Sequence, residues 1–214
     1  MKTIYLVRHG ESESNTGDIF YGPTAPLTDL GRRQASFIAE RASKLPIELI
    51  VASTMTRAAE TGDIIAARIG KPIEYSDLFT ERHHPTSHIG IHKSTPEFLR
   101  EEKEFLERFE DASWKFEDGE NFDDLKARAS QALEFLEKRT ESDILVASHG
   151  VFMSILLARV VLGSELTATE CGRFIRGFHM NNTGLTILRN DPKNHWALPW
   201  HVRMWNDHSH LADS

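Results

Sequence analysis

Short continuous apolar runs alternate along the chain with stretches of helical period. Ile4-Tyr5-Leu6-Val7 is such a run, bounded by a turn at Gly10, and its pattern predicts a strand buried on both faces. Ser12 to Pro26 is rich in Ser, Asn, Gly and Pro and has neither period, which predicts a loop. Thr28 then caps a predicted helix in which Leu30, Gln34, Phe37, Ile38 and Arg41 fall near one face, until Pro46 ends it. Ile47, Leu49, Ile50 and Val51 predict a second strand, followed by a hydroxyl-rich turn and a helix that Gly70 and Pro72 stop after Ile69. Ile73 to Tyr75 predicts a short third strand.

Past Glu81 this rhythm is lost until about Asn121. Phe98, Phe105, Leu106 and Phe109 predict one amphipathic helix there, with an acidic, solvated outer face, and Asp118-Gly119 marks a turn. The segment 81–120 is expected to be a cap insertion. A long helix follows from Asn121 to Arg139, with Leu125, Ala129, Ala132, Leu133 and Leu136 inward. Ile144 to Ser148 predicts another buried strand, and Val151 to Leu162 a buried helix. Leu185 to Leu188, and then Trp196, Leu198, Trp200, Val202 and Met204 at period two around Pro199, predict late strands near a sheet edge. The expected fold is α/β: a three-layer sandwich, mostly parallel central sheet with helices on both faces, in one domain over 1–214.

Composition narrows the function. The 214 residues are 40% hydrophobic and 27% charged, enough for one sizeable core. A formal net charge of −7 and a pI near 5.9 disfavour a general nucleic-acid binder, so no nucleic-acid partner is expected. The Ile4–Val7 run is too short for a signal-peptide core and Val151–Leu162 too short to span a bilayer, so no membrane partner is expected. A cytoplasmic location follows as the expectation. The single cysteine, Cys171, forms no intrachain disulfide and is expected to be structural. Exposed apolar residues in the tail leave monomer and homodimer both open.

The candidate chemistry lies at strand ends. Arg8-His9-Gly10 follows the first strand, His149-Gly150 follows the strand ending at Ser148, and Arg57 follows the turn after the second strand. In open α/β sheets, ligands bind at the carboxyl ends of the strands. Two histidines and two arginines brought together there would repel one another unless an anion sat between them, and a phosphoryl group has suitable charge and geometry.

Arg8-His9-Gly10-Glu11-Ser12 with Asn15, Ser53 with Arg57-Ala58-Ala59-Glu60-Thr61, Glu81, Gly119-Glu120, Ser148-His149-Gly150, and the terminal Asn206-Asp207 with His210-Leu211 recur in one order over essentially the whole chain. In these the sequence resembles the histidine phosphatase superfamily, in its cofactor-dependent phosphoglycerate mutase-like branch. The resemblance implies that His9 is a nucleophile forming phosphohistidine, and that Arg8, Arg57 and His149 hold the phosphoryl oxygens. Glu81, in a Glu81-Arg82-His83 segment similar to that of the mutase branch, is the expected proton donor, with Glu11 or a cap residue as the alternative. Ser12, Asn15, Tyr21, Arg82 and Gly150 complete the expected phosphate- and substrate-binding set.

His83, His84, His88 and His92 raise a metal reading, but Pro85 and Gly90 prevent a helix from aligning the last three, and solvated loop histidines are expected instead. No metal and no cofactor are therefore expected. The partner is expected to be a small-molecule phosphomonoester. Three functions remain open at this point: hydrolysis through phosphohistidine, favoured by the compact chain; a phosphomutase, which shares the first half-reaction; and a binding module that retained the pocket.

Overall fold

The computed structural model describes residues 1–111, 114–195 and 198–211. Trp196, and the side chain of Leu106, lie outside the described residues.

One six-stranded sheet organises the chain: β1 (Lys2–Arg8), β2 (Leu49–Ala52), β3 (Ile73–Tyr75), β4 (Asp143–Ser148), β5 (Leu185–Asn190) and β6 (Trp200–Asp207), in the order β3-β2-β4-β1-β5-β6. The first four strands are mutually parallel and β5 and β6 run antiparallel, so the sheet is mostly parallel, as expected. The helices are α1 (Glu13–Thr16), α2 (Asp29–Ala42), α3 (Thr56–Ile69), α4 (Pro96–Arg108), α5 (Phe122–Lys138), α6 (Gly150–Leu162) and α7 (Ala168–Gly177). Ile4, Leu6, Leu49, Val51, Ile144 and Val146 face a core shared with α5 and α6, while Tyr5, Val7, Ile50 and Leu145 face a second core shared with α2 and α3. This is why the central strands are continuously apolar: both faces are covered.

Register matters most for the site. Arg8 pairs with Ser148 and Ala52 with Ala147, so β1, β4 and β2 end at nearly one level. The ladder continues one bond further, with the His9 N–H donating to Ser148 O at 2.9 Å and the Ser53 N–H to Ala147 O at 2.9 Å.

Several expectations are corrected. Of the expected face of α2, Ile38 is buried but Leu30 and Phe37 are exposed, and the helix buries Gly31, Ala35, Ala39 and Ala42 beside Ile38. The reason is distance: a Cβ on Gly31 would lie 1.9 Å from Glu11 O, and one on Gly10 would lie 2.4 Å from Gly31 O, so the smallest residues make the contact. Ser12–Pro26 is not all loop, because Ser12 and Asn15 fold the one-turn α1: the Ser12 N–H and Oγ–H both donate to Asn15 Oδ1 at 3.0 Å. Met204 packs on the α2–α3 face, opposite Trp200 and Val202, because register shifts between Leu185 and Leu188 break the period of two along β6. Glu101, on the supposedly solvated face of α4, is buried. Helix α7 has no expected counterpart; it buries Cys171 in the larger core, where the thiol is pushed up to about 12 by burial.

Gly31→Ala is expected to destabilise the fold by about 2 kcal/mol or more, since backbone rather than a yielding side chain blocks the new methyl. Urea denaturation of the variant beside wild type checks this through the shift in midpoint.

Candidate active site

His9 leaves β1 where Gly10 turns the chain toward α2. Its Nδ1 lies 2.6 Å from the Gly10 carbonyl oxygen, which can only accept, so Nδ1 carries the proton and Nε2 keeps its lone pair. Arg57, the second residue of α3, donates from Nε to that Nε2 at 3.1 Å and from Nη1 to Gly22 O at 3.1 Å. The Gly10 N–H donates to Thr61 Oγ1 at 3.1 Å, and Thr61 Oγ1–H donates to Arg57 O at 2.8 Å, tying the His9 turn to the helix that carries Arg57.

His149 follows β4, fully buried, with its ring centroid 5.1 Å from that of His9 and its Nε2 2.9 Å from Ser53 Oγ. Arg8 reaches past Gly150, where a Cβ would stand 3.4 Å from Arg8 Nε, and donates to Met180 O. Arg8 Nε, Ser14 Oγ and His149 Nδ1 are buried without a hydrogen-bond partner. Three polar atoms left so in one neighbourhood of Arg8, Arg57 and His9 match a site built for a polyoxygen anion.

Electrostatics keep both imidazoles neutral. Burial, followed by the charge of Arg57, lowers the pKa of both His9 and His149 well below the ordinary imidazole value. Burial also lowers Arg8 and Arg57, while Glu81 raises them. Glu81 lines the same cavity, and its carboxyl is oriented by three backbone donors: the N–H groups of Arg82 and Phe152 to Oε1 at 3.0 and 2.8 Å, and of Val151 to Oε2 at 3.1 Å. Arg128, which sequence reasoning missed, holds this segment through Thr80 O at 2.7 Å and Glu120 Oε2 at 2.7 Å.

A cavity of about 510 Å³ is lined by Arg8, His9, Asn15, Arg57, Glu81 and Arg82, among others. The other expected site residues sit differently. Ser12 is buried and spent on Asn15, Tyr21 is exposed while its neighbour Phe20 turns inward, and Gly150 stands behind Arg8 on a second, smaller cavity. Arg82 is held by Glu101 and Glu102. Asn182, also missed, donates to His9 O at 2.9 Å; it sits in a turn with no periodic signal, clamped where Asn206 accepts from the Asn181 N–H at 2.9 Å.

The four histidines of segment 81–120 do not converge, and they are not all solvated as expected, because His88 is buried and His84 half-buried. His83 reaches Thr80, His84 reaches Glu101, His88 is buried against Phe98 and Phe116, and His92 bonds Ser94. The grouping among the described residues with donor atoms close enough for a metal ion is His84, Glu101 and Glu102, and the Arg82 guanidinium already lies against those carboxylates at 2.6 and 2.7 Å.

The two buried imidazoles predict acid sensitivity. The native state disfavours their protonation, whereas the unfolded chain takes up protons below about pH 6.5, so stability is full above that pH and is lost as pH falls below it. The pair is expected to cost about 2 kcal/mol between pH 6.5 and 5.5. Urea midpoints across this range, compared with His9→Asn, check it; because His84 and His210 are lowered too and titrate in both proteins, the variant should lose about 1 kcal/mol less than wild type.

The profile of the histidine phosphatase superfamily (branch 1) matches residues 4–208. The probable phosphoglycerate mutase GpmB of Enterobacter sp. (strain 638) is 31% identical over 219 residues, covering 99% of this chain and 95% of that protein. Among solved structures, Bacillus stearothermophilus YhfR superimposes with a TM-score of 0.79 at 26% identity, covering 98% of this chain and 99% of the other. The mycobacterial glucosyl-3-phosphoglycerate phosphatase shares the fold, with a TM-score of 0.75 at 23% identity over 96% of this chain and 99% of its own. Among the described residues, no helix is long and apolar enough to cross a membrane. With two histidines and two arginines grouped at the ends of parallel strands, and a family profile running through all of them, the chain belongs to the histidine phosphatase superfamily.

Proposed function

We propose that the protein is a phosphomonoesterase that passes the phosphoryl group of a small phosphorylated metabolite to His9 and then to water. The observation that carries this reading is the His9 tautomer: Nδ1–H is spent on Gly10 O, and Nε2 points its lone pair at the arginine that would hold the phosphoryl oxygens.

The steps follow from the groups present. Arg57 donates to the very atom that attacks, so an arriving phosphoryl group takes over that guanidinium and releases the lone pair. Nε2 bonds to phosphorus as the bond to the alcohol oxygen breaks in line; Arg8, Arg57 and His149 bear the equatorial oxygens, and Glu81 delivers a proton to the departing alkoxide. Water then attacks phosphorus and gives its proton to Glu81. The N–P bond breaks, and His9 returns neutral. Two fixed guanidiniums supply the charge stabilisation, so this route requires no metal ion.

Transfer to a second hydroxyl in place of water is the alternative reading, favoured by the mutase names of the curated relatives. Hydrolysis is preferred because the cavity mouth is open at exposed His83 and Ile89 and the half-buried His84, which leaves water a path to the intermediate. A mutase must exclude it.

Free phosphate released from a panel of phosphomonoesters, with metal chelated, tests the reading. His9→Ala is expected to lose at least about 10³-fold in kcat, and wild type alone should carry acid-labile, alkali-stable phosphate on the chain. No release from any ester, with phosphate instead recovered on a second hydroxyl, would establish the mutase.

Glu81→Gln separates the proton step from binding. Its kcat on alkyl phosphates, which expel a basic alkoxide, is expected to fall by about 10²–10⁴, with a much smaller loss on p-nitrophenyl phosphate, whose leaving group needs no proton. Equal losses on both would assign the proton to another residue.

A further inference from the structure

The half of the cavity that receives the alcohol is built by the cap and by the turn after β3. Among the described residues lining the cavity, Arg82 is the one Lys or Arg side chain besides Arg8 and Arg57. It is the natural partner for a negatively charged alcohol. It is also already committed. Its Nη1 donates to Glu101 Oε1 at 2.6 Å and its Nη2 to Glu102 Oε1 at 2.7 Å, and the guanidinium carbon lies 3.8 Å above the Phe105 ring.

Charge on this wall is therefore spent inside the cap. Arg82 and Glu101 are almost wholly buried, at 4% and 1% side-chain exposure, so their attraction is little screened. Burial works against the Glu101 carboxylate, but the hydrogen bond from His84 and the charge of Arg82 outweigh it and hold its pKa low. His84, whose pKa burial lowers, adds no compensating charge near neutral pH. Asp77 and Asp118 also line this half; Asp77 accepts from Thr54 Oγ1 at 2.5 Å, and Asp118 from the Thr86 N–H at 2.9 Å and Thr86 Oγ1 at 2.5 Å. Glu101 thus offsets Arg82 from behind while Asp77 and Asp118 face the cavity, and Glu102, whose carboxyl burial pushes up to about 7, adds only part of a charge at neutral pH.

We propose that this half of the cavity rejects an alcohol bearing a carboxylate and accepts small alcohols without negative charge, neutral or amino-bearing, with Arg82, Glu101 and Glu102 as the specificity-determining set. This rests on phosphoryl transfer at His9. It separates the substrate from a phosphoglycerate, the compound in the names of the curated relatives. The carboxylates near the pocket repel a glycerate carboxylate, and the guanidinium that could offset them donates away from the cavity.

The test is a series matched in size: 3-phosphoglycerate, glycerol 3-phosphate and phosphoethanolamine. For wild type, kcat/KM on the last two is expected to exceed that on 3-phosphoglycerate at least tenfold. Glu102→Gln and the double variant Glu101→Gln/Glu102→Gln release Arg82 and should raise the ratio of 3-phosphoglycerate to glycerol 3-phosphate, several-fold in the single variant and tenfold or more in the double. A ratio is insensitive to partial misfolding, and a merely structural role would leave it unchanged. Where turnover of the series is slow, competition against p-nitrophenyl phosphate gives the same order as inhibition constants. Wild type that prefers 3-phosphoglycerate, or variants with an unmoved ratio, overturn the proposal while leaving the phosphatase reading intact. Failure of p-nitrophenyl phosphate itself to react in a His9-dependent way overturns both.

Discussion

Everything at the site depends on three parallel strands ending at one level. With Arg8 against Ser148 and Ala147 against Ala52, the residues that follow β1, β4 and β2 leave the sheet side by side, and one further ladder bond each fixes His9 and Ser53. A slip of one residue would turn His9 to the other face, since side chains alternate along a strand. That register is held by side chains buried on both faces: Ile4 and Leu6 in one core, Tyr5 and Val7 in the other. Core packing and the placement of His9 are thus one constraint. The contact of Gly10 with Gly31 completes it, letting α2 press against the turn that carries the Nδ1 acceptor.

The second constraint is electrostatic. Two guanidiniums and two imidazoles share a largely buried volume. Were the imidazoles protonated, four cations would meet there, and among the described residues the carboxylate that raises the pKa of the arginines is Glu81. The fold meets this by keeping the imidazoles neutral through burial and the proximity of Arg57. That condition is also the one a nucleophilic histidine needs. Stability at low pH and reactivity at neutral pH therefore trace to the same desolvation.

The sequence made the strand ends legible because each chemical residue sits next to an apolar run whose boundary is sharp: Val7 before Arg8, Ala147 before Ser148 and His149. The helices α5 and α6 were legible from period for the same reason. What escaped notice depends on contacts between distant segments. The face of α2 follows the closeness of Glu11 to Gly31 and not the positions of its largest apolar residues, so Leu30 and Phe37 misled. Arg128 and Asn182 act through the backbone of other elements, and no local pattern marks such a partner. Met204 was misplaced because a register shift carries no simple sequence signal in β6.

The segment 81–120 illustrates why substrate choice is harder to read than reaction type. The phosphoryl half of the cavity is specified by residues whose only economical use is an anion, and those residues stand in the sequence where strands end. In the alcohol half, an arginine means opposite things according to its neighbours. Arg82 free would attract a carboxylate; Arg82 pinned between Glu101 and Glu102 over Phe105 presents little positive charge to a ligand. The two carboxylates lie 19 and 20 residues away and reach it only because α4 folds back over the Glu81 segment. Ion pairing within the cap, more than the count of charged residues, therefore sets the sign of the field that a leaving group meets.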